Sequence, residues 1–308
     1  MTFGQLALVL NPHATADSNY RRIQRFFADF SFDAEHFGRL MLALLPQKKD
    51  LVVSIDRSNW QLGSFHINIL MLSVAYRGIA FPIVWSLLGK AGNSNRSERS
   101  ALLERFLKLV EPKKIAAVVA DREFIGEGWF KDLKAAGLPF YIRIKHNALV
   151  GSKGRTRHAR MLFESLRVGE TKLLPKRCWV YDHRLSLVGV KLDGEYLIIA
   201  TNAKADHALA LYSQRWQIET LFAALKTRGF NLEASHLQHD ESLGLQGPNC
   251  WPRWLLPLPG RISWASGCMS ISPFPSRSMG GSQKVSFVMA STIFSSCCST
   301  FSILALQG

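Results

Sequence analysis

Two apolar runs constrain this chain most: Leu51-Val-Val-Ser-Ile-Asp56 and Ile115-Ala-Ala-Val-Val-Ala-Asp121. Each is short, rich in β-branched residues and closed by an acid. Each therefore reads as a buried strand with a carboxylate at its end. Between them, Asn68 to Tyr76 and Ile79 to Trp85 flank Arg77-Gly78 and read as a hairpin. Pro82 predicts a bulge or an edge in its second strand. A helix is expected from Glu98 to Val110, with Pro112 just beyond it, and another up to Ala136, closed by Gly137. Phe140 to Lys145 alternates as a fifth strand.

The order is strand, strand, strand, helix, strand, helix, strand. Together with fold knowledge, it resembles an α/β ribonuclease-H-like mixed sheet with flanking helices. Residues 146–205 differ. Gly151 to Arg157 reads as a flexible basic loop, and Cys178 to Asp182, Leu185 to Leu192 and Glu195 to Thr201 as short strands, a β-rich insertion. Residues 1–48 read as an N-terminal helical region, 49–238 as the main domain and 239–308 as an aberrant tail. In the first of these, Asn19 to Phe30 sets four aromatics among three arginines. A DNA-contacting helix is one reading; an amphipathic helix with its aromatics in the core is the favoured one.

The stretch Tyr212-Ser-Gln-Arg215-Trp-Gln-Ile-Glu219-Thr-Leu-Phe-Ala-Ala-Leu-Lys226 reads as one helix, with Asp206 as its N-cap. Its four polar residues fall within roughly 60° of one meridian. Trp216, Leu221, Phe222 and Leu225 supply the apolar side. A carboxylate, two cations and a phenol on one stripe suit a helix that holds a metal ion and grips phosphates.

Composition agrees with a polyanionic partner. Lys and Arg outnumber Asp and Glu by 38 to 23, a net charge of +15, which favours counterion replacement along a phosphate backbone. Hydrophobic content of 47% is enough for a real core. No stretch resembles a membrane span, and the start is a poor signal peptide, so the expected location is cytoplasmic and no membrane partner is expected. Five cysteines without metal-like spacing argue against zinc and against a disulfide framework.

Asp56, Asp121 and Glu219 stand apart as candidate catalytic acids and metal ligands. Hard carboxylate oxygens suit Mg²⁺ or Mn²⁺. Two such ions about 4 Å apart activate an attacking oxygen and stabilise a leaving one. Singly, an Asp after a strand also reads as a turn former or cap. Jointly, two strand-end aspartates and a helix-borne glutamate in a phosphate-gripping stripe point to nucleic-acid chemistry.

Ser54-Ile-Asp56-Arg-Ser-Asn-Trp60, Ala120-Asp121-Arg122-Glu123-Phe124, Asn93-Ser-Asn-Arg-Ser-Glu98 and the Tyr212, Arg215, Glu219, Lys226 signature resemble the DDE transposases of insertion-sequence family four. The resemblance covers about residues 15 to 238. It implies Asp56, Asp121 and Glu219 as ligands of Mg²⁺ (or Mn²⁺) in a ribonuclease-H-like core, with the β insertion between the second Asp and the Glu. It implies cut-and-paste transposition through a hairpin, with terminal inverted repeats and target DNA as partners and a homodimer in the synaptic complex. It assigns Tyr212, Arg215 and Lys226 to DNA phosphates. Relatives stack a flipped base on a Trp of the insertion. Trp179 is the candidate here, and a strand-core Trp is its alternative. Another metal-dependent nuclease on the same fold would not need the Tyr-Arg-Glu-Lys arrangement.

Beyond about residue 240 the chain departs from that family. Serine dominates and neither a period of two nor one of 3.6 persists. Residues 269–301 can be back-translated so that a shifted frame spells a basic, helix-forming string. A frameshift near residues 239–248 is therefore expected. An inactive remnant that binds DNA, or interferes with an active transposase, is the alternative function.

Overall fold

The computed structural model describes residues 3–29, 33–62, 65–152, 155–228 and two short paired strands, 263–265 and 268–270. The frameshift region and almost all of the tail lie outside the described residues.

Three helices precede the sheet: α1 (Phe3–Leu10), α2 (Ala16–Asp29) and α3 (Ala34–Leu44). In α2, Asn19 and Ile23 are buried, but Tyr20 and Phe26 are exposed beside exposed Arg21, Arg22 and Arg25. The expected core placement fails for those two aromatics. α2 packs on α1.

The sheet opens with β1 (Leu51–Leu62), β2 (Phe65–Tyr76) and β3 (Ile79–Leu87), joined by antiparallel pairing. Arg77 and Gly78 both take positive φ, as a two-residue primed turn requires. β3 is an edge strand, and its register with β2 shifts between Leu72 and Ser73, opposite Pro82. Pro82 is thus accommodated as both an edge residue and a bulge neighbour.

Helix α4 (Arg96–Leu107) starts two residues before the expected Glu98 because Asn95 and Glu98 form a capping box. It leads to β4 (Ile115–Ala120), α5 (Glu127–Ala135) and β5 (Phe140–Ile144). Gly137 closes α5 at φ 68°, with Leu138 N–H donating to Leu133 and Gly137 N–H to Lys134, a Schellman arrangement. β4 lies parallel to both β1 and β5. The order β3-β2-β1-β4-β5, with its antiparallel first three strands, is a ribonuclease-H-like mixed sheet.

The β-rich insertion continues that sheet. It comprises β6 (Leu149–Ser152), β7 (Arg155–His158), β8 (Thr171–Leu173), β9 (Cys178–Val180), β10 (His183–Lys191) and β11 (Tyr196–Thr201). β11 pairs with β5, and β10, β9, β6 and β7 follow outward. The stretch from Gly151 to Arg157, expected as a loop, instead contributes paired strand residues in β6 and β7.

Alternate strand residues feed two cores. One holds Val53, Ile55, Val118 and Ala120 with Phe106, Trp129 and Phe130 of the helices. The other holds Val52, Ala117 and Val119. Phe130 joins three parts of the fold: it is fully buried, stacks on Phe140 at 4.9 Å and meets Tyr181 edge-on at 5.7 Å. Phe130→Ala should lower the unfolding free energy by about 3–5 kcal/mol in urea titrations. A loss under about 1 kcal/mol would show that Phe130 does not tie these elements together.

Candidate functional site

From Val52 and Ala117 onward, β1 and β4 stay in register up to Ile55 and Ala120, where their pairing stops. Asp56 and Asp121 are the next residues on adjacent parallel strands, which run about 4.8 Å apart. Asp56 shares the face of Val52 and Ser54, and Asp121 that of Ala117 and Val119, so both carboxylates leave the sheet on the same side. Asp56 was expected at a strand end. It lies instead inside β1, which runs on to Leu62 because β2 pairs with it throughout. What ends at Asp56 is only its parallel neighbour.

The expected single helix over Tyr212–Lys226 is broken. α6 (Ala208–Ser213) and α7 (Trp216–Ala223) are separated at Gln214 and Arg215, and a π-helical turn, Ala224–Arg228, follows. His207, not Asp206, occupies the N-cap, without a side-chain cap bond. At the break the N–H groups of Arg215, Gln217 and Ile218 bond three residues back, which tightens the winding. α6 packs on β4, β5 and β11 through Ala208 and Tyr212, which belong to the second core. α7 packs on β1 to β3 through Ile218 and Phe222, which belong to the first. The segment therefore passes over the two aspartates, from β4, β5 and β11 on one side to β1, β2 and β3 on the other.

Arg215 sits at the break, only 4% exposed. Its Nη1 lies 2.8 Å from Glu219 Oε1 and 3.4 Å from Asp56 Oδ2. Its guanidinium is 4.8 Å from the Trp216 ring and 5.7 Å from the Tyr212 ring. Trp216 was expected on the apolar side. It is 59% exposed, because the break turns it outward beside Arg215. Tyr212 is buried and donates its hydroxyl to Asp121 Oδ1 at 3.5 Å. Burial pushes its phenol up to about 12, so it remains a donor at neutral pH. Lys226, on the π turn, donates to the Asn59 carbonyl at 2.7 Å and lies 5.6 Å from the Trp60 ring.

Asp56, Asp121, Arg215, Glu219 and Lys226 line one cleft of about 480 Å³. Trp179 does not line it. It stands on β9 of the insertion and is 55% exposed, so it is not a strand-core Trp. Sequence reasoning assigned no role to Arg57, which also lines the cleft. The signal lay in its place beside Asp56 in the quoted motif.

The donor set suits a hard divalent cation: three carboxylates around one cleft. The geometry meets that only in part. Among the described residues, no three of His, Cys, Asp and Glu gather closely enough to hold one ion. Glu219 stands on Arg215 and has to leave it to join the two aspartates.

Burial pushes the Asp56 carboxyl up to about 7, against the Arg57 N–H and Arg215, with Glu123 and Glu219 adding to the rise. The folded protein therefore holds this proton more tightly than the unfolded chain does. Stability from Asp56 is present below its ordinary range near pH 4 and is lost as pH rises through about 7. In EDTA, Asp56→Asn should unfold at a higher temperature than the parent at pH 8, and the gap should narrow toward pH 4. A pH-independent gap would contradict the buried-acid account.

No curated protein matches this chain. Two solved structures share a weak likeness. One is a piggyBac transposase synaptic complex with hairpin DNA, at 14% identity and TM-score 0.38, covering 56% of this chain and 40% of that one. The other is endonuclease V from Bacillus subtilis, at 10% identity and TM-score 0.28, covering 74% and 88%. The chain spans less than half of the piggyBac chain. The family described as transposase DDE domain matches residues 47–244, more than half of the chain and the whole of the cleft just described. This chain belongs to the transposase DDE domain family.

Proposed function

We propose that this protein is a cut-and-paste transposase of insertion-sequence family four. In this reading Asp56, Asp121 and Glu219 carry divalent-metal-dependent cleavage and strand transfer at terminal inverted repeats. One observation carries it: the segment bearing Tyr212, Arg215, Glu219 and Lys226 lies across the point where Asp56 and Asp121 emerge side by side. Mg²⁺ or Mn²⁺, when bound, supplies Lewis-acid activation of the attacking oxygen and charge stabilisation of the leaving one.

The chain's own groups do the rest. Asp56 and Asp121 offer hard oxygen donors at fixed spacing. Arg215 exchanges its contact with Glu219 for a DNA phosphate, which its planar fork suits. That exchange frees Glu219 for the metal. Tyr212 orients Asp121 from below through its hydroxyl. Lys226 leaves the Asn59 carbonyl for the backbone as a point charge. Trp179, outward on the insertion, offers a platform for an extruded base. The catalytic unit spans 49–238, after a helical region at 1–48, and the active assembly is a homodimer.

A second reading is supported by one observation. The family match stops at residue 244, where the sequence loses its periodicity. It fits a frameshifted remnant that binds DNA without chemistry. A strand-transfer assay with Mg²⁺ and the element's inverted-repeat ends separates the two: joined products support the enzyme, and bound but uncut DNA supports the remnant.

Glu219→Gln should abolish cleavage while leaving DNA affinity within about threefold, since it removes a metal ligand and no phosphate contact. Lys226→Ala should weaken DNA binding and reduce the slope of log affinity against log salt by about one unit. Equal loss of binding in both variants would overturn this division of roles.

A further inference from the structure

We propose that Arg57 and Glu123 are positioning residues that set the spacing of the Asp56 and Asp121 carboxylates. The inference rests on reading those aspartates as metal ligands. Arg57 follows Asp56 on β1, and its side chain leaves the strand on the opposite face. Its backbone N–H holds Asp56 Oδ1 at 2.8 Å. Its guanidinium meets the Glu123 carboxylate through Nε and Nη2, each at 3.3 Å. Nη1 donates to Asn68 Oδ1 and Nη2 also to Asn93 Oδ1, both at 3.2 Å. One side chain thus ties β1 to β2, to the loop after β3 and to the turn after β4.

That turn is held a second time. Arg99 of α4 is buried, and its Nη2 donates to the Glu123 carbonyl at 3.0 Å and to the Ser94 carbonyl at 2.6 Å. Its guanidinium lies 5.0 Å from the Phe124 ring. Phe124 N–H closes the turn onto the Asp121 carbonyl at 3.0 Å. Glu123 is therefore gripped by side chain and by backbone, two residues after Asp121, and by a partner one residue after Asp56.

The pair is mostly shielded, with 13% and 21% of the Arg57 and Glu123 side chains exposed. Loss of the Glu123 charge loosens the turn that carries Asp121 and the hold on Arg57, whose backbone N–H positions Asp56. Both weaken metal binding without removing a ligand, as changes to groups behind a ligand do.

The test is Mn²⁺ binding to the full chain without DNA, followed by the electron paramagnetic resonance signal of free Mn²⁺. Thermal unfolding and DNA binding in EDTA are measured alongside. Glu123→Gln should weaken Mn²⁺ binding by about tenfold or more. Its unfolding midpoint and DNA binding in EDTA should stay near those of the parent. Arg57→Lys should fall between the two, since an ammonium keeps the charge and loses the fork. It also serves as the probe if Glu123→Gln does not fold. Parental Mn²⁺ affinity in the variants would overturn the proposal, as would a loss that only tracks the unfolding midpoint. Asp56→Asn is the control: if it binds Mn²⁺ as the parent does, the metal-ligand reading itself fails and the positioning role fails with it.

Discussion

Everything at this site depends on where the parallel pairing of β1 and β4 stops. Ile55 and Ala120 are its last partners, so the strand spacing itself brings Asp56 and Asp121 together. β1 continues because β2 pairs with it along its whole length. β4 ends because the chain turns at Asp121 to Phe124, a turn closed by its own backbone bond and gripped through Glu123. Past Asp56, one flank of β1 is left without a strand, and α7 lies over it. The cleft follows from two neighbouring strands of unequal length.

The break in the helical segment is the second constraint. It falls at Gln214 and Arg215, between α6, which lies on β4, β5 and β11, and α7, which lies on β1 to β3. A buried guanidinium is costly unless its charge is matched and its donors are used. Here Glu219 and Asp56 lie 2.8 and 3.4 Å from its Nη1 and the Tyr212 and Trp216 rings lie beside it, while its Nε has no hydrogen-bond partner among the described residues. The shorter contact pairs this residue with Glu219.

The insertion is bound to this frame through main-chain pairing of β11 with β5 and through Phe130, Phe140 and Tyr181. It is an extension of the central sheet, joined at β5, the neighbour of β4. Trp179 is turned outward by simple alternation: Cys178 and Val180 on either side of it are buried. No helix among the described residues is long and apolar enough to cross a membrane.

Local pattern determined much. Apolar runs, the Arg77-Gly78 turn, Pro82 and Gly137 specify strands, hairpin, edge and helix end through steric and hydrogen-bonding rules that act over a few residues. The order of strands and helices along the chain followed from that pattern; the face shared by Asp56 and Asp121 came from the pairing of β1 with β4. Other features were decided only in three dimensions. The break at Arg215 divides a stretch that helical periodicity reads as one helix. The outward Trp216 and the exposed Tyr20 and Phe26 depend on what packs against them, which helical periodicity does not encode. The join of Arg57 to Glu123 spans sixty-six positions. Nothing in either local sequence requires it, since only strand pairing brings the two charges within reach.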